Sequence, residues 1–445
     1  MPAAKGPTGT PTAPPKKPGP PRPDPDRLAA LSSTINSNLI LLSSAEAGPE
    51  CETARVKAAA AAQELTNALR APPEAVMNWF VTASIVSVVR LFQHWGVFDA
   101  LPMPTPGLPP SEQGLPVPTL AAMVEAEESI LLRLAYMLTS SSVLHLVPAS
   151  GPSTPARLAH TPTSIALRSG QPMGAMFRLM FTNVVSTSTI LPSYFDTYSR
   201  REPLGPSHIP TSFLAGHPEL DYFSHLNRDP AATSDFMLAM AIAHRNAPTT
   251  GMYDMAPILA AAAAEPSRPV WIDVGGGDGH TVAIFRRAFP ALPGSQCIIQ
   301  DLPEVCTQAS QKADAAADPD LDGVRWEPMD FHADPPVAGG RAYYLRHVLR
   351  DYSDATAVRI LRNVARGLTR PDARILVAEQ VSREPPAQYA AFKDFTMLAI
   401  GGKDRTLEGF ERVAAGAGLE VERVWWDKGT PHAVVEMRLA GGEGN

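Results

Sequence analysis

Apolar residues recur at helical spacing through the first half of the chain and collect into short runs in the second. From Asp26 to about Arg70 the stretches LAALSSTINSNLILLSSA and ARVKAAAAAQELTNALR predict two helices, the second rich in alanine. From Pro73 the segment AVMNWFVTASIVSVVRLFQHWGVFDAL is apolar on most faces. A helix of that kind is expected to be buried, in a core or between subunits, and a dimer interface is the natural place for it. A loop rich in Pro and Gly over 102–118 precedes TLAAMVEAEESILLRLAYMLTSSSVLHLV, which predicts two short helices leading into a strand, a winged-helix pattern. Helical spacing continues through MGAMFRLMFTNVVSTSTILPSYF and TSDFMLAMAIAHRNAPTTGMYDMAPILAAAAA to Glu265, where PSRP breaks it.

Beyond Val270 the pattern changes. The runs VWIDVGGG, CIIQDLP, RAYYLRHVL, ARILVAEQV and HAVVEMRL alternate with helical stretches, as βαβ units of a mostly parallel sheet do. The organisation expected is therefore a Pro-rich disordered tail over 1–25, a helical and winged-helix domain over 26–265, and an α/β, Rossmann-like domain over 266–445.

Charge and composition narrow the partners. Lys and Arg number 38 against 45 Asp and Glu, a net charge of -7, which gives no general attraction to phosphate backbones. The candidate recognition helix SILLRLAYMLTSS offers only Arg133 as a base-reading cation, so the winged helix is not expected to bind nucleic acid. Cys51, Cys297 and Cys306 are too few and too scattered for a disulfide framework or a zinc site. No metal is expected. The opening residues carry no apolar core of a signal peptide, and no apolar run is expected to reach the roughly 18 to 20 residues of a membrane span. A cytoplasmic enzyme acting on a small molecule, away from any membrane, is the expectation.

The clearest chemical signal is VWIDVGGGDGHT, a strand, then Gly275, Gly277 and Gly279, then a helix. Such a turn lets a ligand approach bare backbone at a helix N-terminus. A dinucleotide fingerprint would need glycine at position 280, where this chain has His280, and that departure favours S-adenosylmethionine. Asp273 ends the first strand, where it can reach the cofactor's amino-acid end. Asp301, at the end of the second, is placed to take both ribose hydroxyls, and Asp330 with Phe331 to grip the adenine.

Taken together, IDVGGGDGHT, QDLPEV, YYLRHVLRDYSDATAVRILRNVARGL, ILVAEQ and GGKDRTLEGFERVAAGAGLEV resemble the plant and fungal small-molecule O-methyltransferases similar to caffeic acid O-methyltransferase. The resemblance implies a class I methyltransferase domain that binds S-adenosyl-L-methionine, with Arg346 among the cofactor-side residues, preceded by a helical domain that forms a homodimer and closes over the substrate. It also implies a pocket lined by Phe395 and Met397 and a pair of carboxyl positions at Glu379 and Asp404 around the reaction centre.

At one position the chain departs from that pattern. Where the family carries a histidine that takes the substrate's proton, this sequence has Arg350, followed by Asp351. Arginine stays protonated, with a pKa above ~12, and cannot act as that base. His347 is the nearest stand-in, one helical turn away. An Arg-Asp pair at this place resembles the fungal O-methyltransferase-like pericyclases, the leporin-forming type, which keep the cofactor and transfer no methyl group. In that reading Arg350, its fork fixed by Asp351, polarises a carbonyl while the pocket folds a polyketide-derived substrate such as a 2-pyridone for dehydration and ring closure. The resemblance also implies a histidine from the helical domain, with His208, His217, His225 and His244 as the available ones. The alternative is an O-methyltransferase acting on a phenol or enol acidic enough to need little base, its anion stabilised by Arg350. A silent scaffold is the third reading, and the intact glycine turn with Asp301 argues against it.

Overall fold

The computed structural model describes residues 23–44, 48–109, 112–151, 154–245 and 247–441. The Pro-rich tail expected over 1–25 lies, up to Arg22, outside these residues, and the first helix begins at Pro25.

Two compact units form. The first comprises the described residues up to Leu91 together with Arg133–Ser141. Its helices Pro25–Ser44 and Pro49–Leu69 pair along a line of small residues, Ala54, Ala58 and Ala61, buried at spacings of four and three. That spacing keeps them on one face and lets the two backbones approach. The next helix, Pro72–His94, bears on two expectations. Trp79 and Phe80 are 68 % and 63 % exposed, so the helix is not buried within the chain although its sequence is apolar nearly all round. It is also, by length and composition, long and apolar enough to cross a membrane, contrary to the expectation that no run reaches that length.

The second unit runs over Phe92–Leu132 and from Ser142 onward. Near its start β1 (Leu115–Pro116), β2 (Leu144–Val147) and β3 (Arg157–His160) form a small antiparallel sheet in the order β1-β3-β2, the wing expected after the helices Val117–Met123 and Glu128–Ser140. The main sheet holds β4 (Trp271–Val274), β5 (Cys297–Asp301), β6 (Arg325–Pro328), β7 (Ala342–Arg346), β8 (Arg374–Ser382), β10 (Leu419–Trp426) and β11 (His432–Leu439), with the short β9 (Arg405–Thr406) beside β8. Its order is β10-β11-β8-β7-β4-β5-β6. Strands β4 to β8 are parallel, whereas β11 runs antiparallel between β8 and β10. This is the α/β, class I methyltransferase arrangement expected. Strand order reverses at β4, so the carboxyl ends of β4, β5 and β7 open a crevice where such sheets bind ligands.

The two faces of the sheet are covered by separate apolar cores, one built on Val274, Leu345, Ile360 and Phe410, the other on Trp271, Val282 and Phe285. Met255, Ile258 and Ala262 belong to the second core. The break in composition at Glu265 therefore falls inside a packed unit, because the helix Ala256–Ala264 is one of the sheet's own covering elements.

Candidate active site

The glycine turn is built as the sequence requires. Gly275 and Gly279 have φ of +73° and +79°, in the left-handed region, and a Cβ on either would come within 2.9 Å of Val348 or 2.8 Å of Ile299 and Trp326. Glycine is thus demanded both by conformation and by space. Asp301, at the end of β5, accepts from the Gly277 and Leu302 amides at 2.9 and 2.8 Å, tying the turn to the neighbouring strand. Burial raises its pKa against those two bonds.

Asp273, at the last turn of β4, is fully buried, and its Oδ2 has no hydrogen-bond partner. Burial pushes its carboxyl up to about 7, opposed by His280 and Arg346. Arg346 lies 3.4 Å from His280 Nε2 and donates to the Ala247 carbonyl at 3.2 Å. Phe331 stands over Gly275, its ring 3.5 Å from where a Cβ would be, and packs with His332 and Tyr352, whose ring centroids lie 4.7 and 6.0 Å away. Asp330 holds its own loop by accepting from the His332 amide at 2.8 Å. An orphaned buried carboxylate beside an open glycine turn fits a ligand carrying an ammonium group, so the residues expected for the cofactor are assembled in one place.

The reaction side begins one strand further. Arg350 sits in the single 3-10 turn Leu349–Asp351 that follows β7. Its amide donates to Glu379 Oε1 at 3.0 Å, and its carbonyl accepts from the Lys403 amide at 2.7 Å. Its Nη2 meets Asp404 Oδ1 at 3.0 Å, with the two side chains 13 % and 2 % exposed. The expected pairing of the Arg350 fork with Asp351 is thereby corrected. A Cβ on Gly402 would stand 2.3 Å from the Arg350 carbonyl, so the turn carrying Asp404 presses directly against Arg350. The Asp404 amide, in turn, is held by Asp394 at 2.8 Å.

Three carboxyls feel this cation. Burial pushes Glu379 up to about 7 and Asp351 up to about 6, both opposed by the positive charge of Arg350, and it raises Asp404 as well. Arg350, Glu379 and Asp404 are thus in direct contact, and Asp351 lies within range of their charges. His347, with φ of +57°, turns its ring toward His432, 6.0 Å away.

Several polar residues here had no signal in the sequence. Lys393 donates to Gln380 at 2.6 Å, and His432, on β11, is pushed down to about 4 by burial with Lys393 and Arg350 adding to the effect. Asn183, in a π-helical turn over Phe181–Ser186, donates to the Tyr222 hydroxyl at 2.9 Å. Tyr222 is pushed up to about 12, by burial and by the charge of Asp351, and Met397 packs beside it. Such a turn often marks a functional site, and its breach of helical spacing could have been the clue. Of the helical-domain histidines, His208 contacts Ser207 and His217 contacts Glu219, while the His244 side chain lies outside the described residues. Among the described residues no group of three His, Cys, Asp or Glu could hold a metal ion.

A family model described as an O-methyltransferase domain matches residues 219–420. Methyltransferase pynC of Aspergillus niger is 32 % identical over 356 residues, covering 80 % of this chain and 94 % of that protein. Methyltransferase pvhD of Talaromyces variabilis is 30 % identical over 371 residues, covering 83 % and 97 %. Among solved structures, OxaC superposes with a TM-score of 0.76 at 23 % identity, over 93 % of this chain and 98 % of that one. LepI in complex with SAM superposes with a TM-score of 0.70 at 24 % identity, over 93 % and 99 %.

Proposed function

Because the chain belongs to the O-methyltransferase family, we propose that it transfers a methyl group from S-adenosyl-L-methionine to an acidic small molecule, an enol or phenol that binds as its anion. The observation that carries this reading is the state of Arg350: half-buried, its fork clasped on one side by Asp404, standing where a proton-abstracting histidine is expected. A guanidinium cannot take a proton, yet it lowers the pKa of an adjacent hydroxyl by stabilising the anion. A nucleophile that arrives ionised needs no base.

The bound cofactor supplies an electrophilic methyl group. Asp273, with its free Oδ2, and the turn at Gly275 to Gly279 would hold its amino-acid end, Asp301 its ribose, and Phe331 the face of its adenine. Arg350 orients the substrate oxygen and holds its charge.

The test is mass spectrometry of the purified protein with S-adenosylmethionine and a panel of phenols, enols and pyridone alcohols. Formation of S-adenosylhomocysteine with the gain of one methyl group supports the proposal. Product formed by water loss or isomerisation with the cofactor intact supports the second reading, an O-methyltransferase-like pericyclase. That reading is favoured by the replaced histidine and by likeness in fold to a solved structure described as a pericyclic reaction enzyme, with a TM-score of 0.70 at 24 % identity. It stands second because Arg350 pairs with Asp404 rather than Asp351, and because relatives at 30 % identity and above are named methyltransferases. A homodimer is part of the proposal, with the exposed Met77, Trp79 and Phe80 of the helix Pro72–His94 as its contact face. Light scattering on a Trp79→Glu, Phe80→Glu variant tests it, a monomer being the expected result and an unchanged mass the contrary one.

A further inference from the structure

Near Arg350 stands a second cation that methyl transfer as described leaves without a task. Lys393 is carried by the helix Gln388–Ala399, and its Nζ donates to Gln380 Oε1 at 2.6 Å. That bond uses one of three ammonium protons. The charges of Arg350 and Asp404 both act on Lys393, and burial holds its pKa below the ordinary lysine range. His432 faces Gln380 across the ladder between β8 and β11 and feels both cations. Two like charges have thus been brought together in a half-buried place, although Asp404 is already engaged with one of them.

The neighbouring polar atoms point the same way. Arg350 Nε, Asp404 Oδ2 and Gln380 Nε2 are all buried without a hydrogen-bond partner. Each such atom is a cost to the fold. Two donors and an acceptor left open on the Lys393–Gln380 and Arg350–Asp404 pairs mark a place that a ligand with more than one acceptor would complete. A phenolate, with a single charged oxygen, would satisfy Arg350 and leave Lys393 and Gln380 unmet. An anion that shares its charge between two oxygens would satisfy both.

We propose that Lys393, oriented by Gln380, is a second substrate-binding residue, and that with Arg350 it holds a substrate anion through two conjugated oxygens, as in an enolised 1,3-dicarbonyl compound. This rests on the reading that the substrate binds as an anion. Arg350, its fork held on one side by Asp404, takes one oxygen, and Lys393 takes the other.

The test uses two probes that are ionised at pH 8, the anion of 2-acetyl-1,3-cyclohexanedione and 4-nitrophenolate, titrated calorimetrically into the full chain saturated with S-adenosylhomocysteine. Lys393→Met is expected to weaken the diketonate at least tenfold, about 1.4 kcal/mol, and to leave nitrophenolate unchanged. Lys393→Arg is expected to restore most of the diketonate affinity. Gln380→Leu, which keeps the cation and removes its orienting acceptor, is expected to weaken the diketonate alone by a smaller factor, and it serves where Lys393→Met does not fold. Equal loss of both probes, no loss of either, or no saturable binding of the diketonate to wild type overturns the proposal. Methyl transfer is scored separately. Wild type that binds in this pattern without transferring methyl refutes the methyl-transfer reading and keeps the two-point anchor; transfer with the same KM in wild type and Lys393→Met does the reverse.

Discussion

Glu379→Gln isolates the energy of one buried carboxyl. Glu379 lies at the carboxyl end of β8, is 2 % exposed, and accepts the Arg350 amide through Oε1, a bond that glutamine can keep through its own carbonyl oxygen. Its pKa rises from 4.5 to about 7, chiefly through burial. The unfolded chain therefore releases this proton near pH 4.5, whereas the folded chain holds it until about pH 7, so the wild-type protein loses stability as pH rises through that window. A shift of this size is worth about 3 kcal/mol at most, at 1.36 kcal/mol per unit. Glutamine mimics the protonated acid at every pH. The variant is thus expected to match wild type near pH 4.5 and to exceed it by about 3 kcal/mol at pH 8. Urea unfolding of the apoprotein, followed by tryptophan fluorescence at both pH values, measures the difference. A variant that is equally or less stable than wild type at pH 8 would refute the idea that burial, rather than the pairing with Arg350 and Arg405, governs this group.

Arg350→Ala is expected to remove most turnover, by ~100-fold or more as for the loss of one charge-stabilising donor, with little change in S-adenosylhomocysteine affinity by calorimetry; unchanged turnover would sink the role given to Arg350. Asp301→Ala releases the Gly277 amide and is expected to weaken cofactor binding at least tenfold in the same titration, about 1.4 kcal/mol. Gly275→Ala places a methyl group 2.9 Å from Val348 at φ +73°, so both cofactor affinity and the thermal midpoint are expected to fall, and a variant like wild type in both would contradict the close packing of the turn.

What the sequence revealed and what it hid divide along a physical line. The turn at Gly275 to Gly279 and Asp301 were legible because their demands are local: backbone conformation and a strand end dictate the residue type. The βαβ alternation was legible for the same reason. Arg350 was legible as a departure from a resembled motif, but its partner was not. Adjacency pointed to Asp351, while the observed contact depends on a turn more than fifty residues away being pressed against the Arg350 carbonyl by Gly402. Lys393, Gln380 and His432 carry no local pattern at all: His432 meets Gln380 only because β11 pairs with β8, and Lys393 reaches it from the helix Gln388–Ala399. The helix Pro72–His94 was recognised as apolar, yet periodicity states that a face seeks cover without stating what covers it.

The place of β11 in the sheet also bears on how the molecule is made. It is the last strand described, and it lies inside the sheet rather than at the edge, bonded to β8 on one side and β10 on the other. While the chain is being synthesised, β4 to β8 can align as they emerge, but β8 keeps an open flank, and β10 has no seat, until residues 432–439 have left the ribosome. The nascent enzyme therefore presents an unpaired β8 edge until those residues emerge, an invitation to mispair with neighbouring chains that β11 closes.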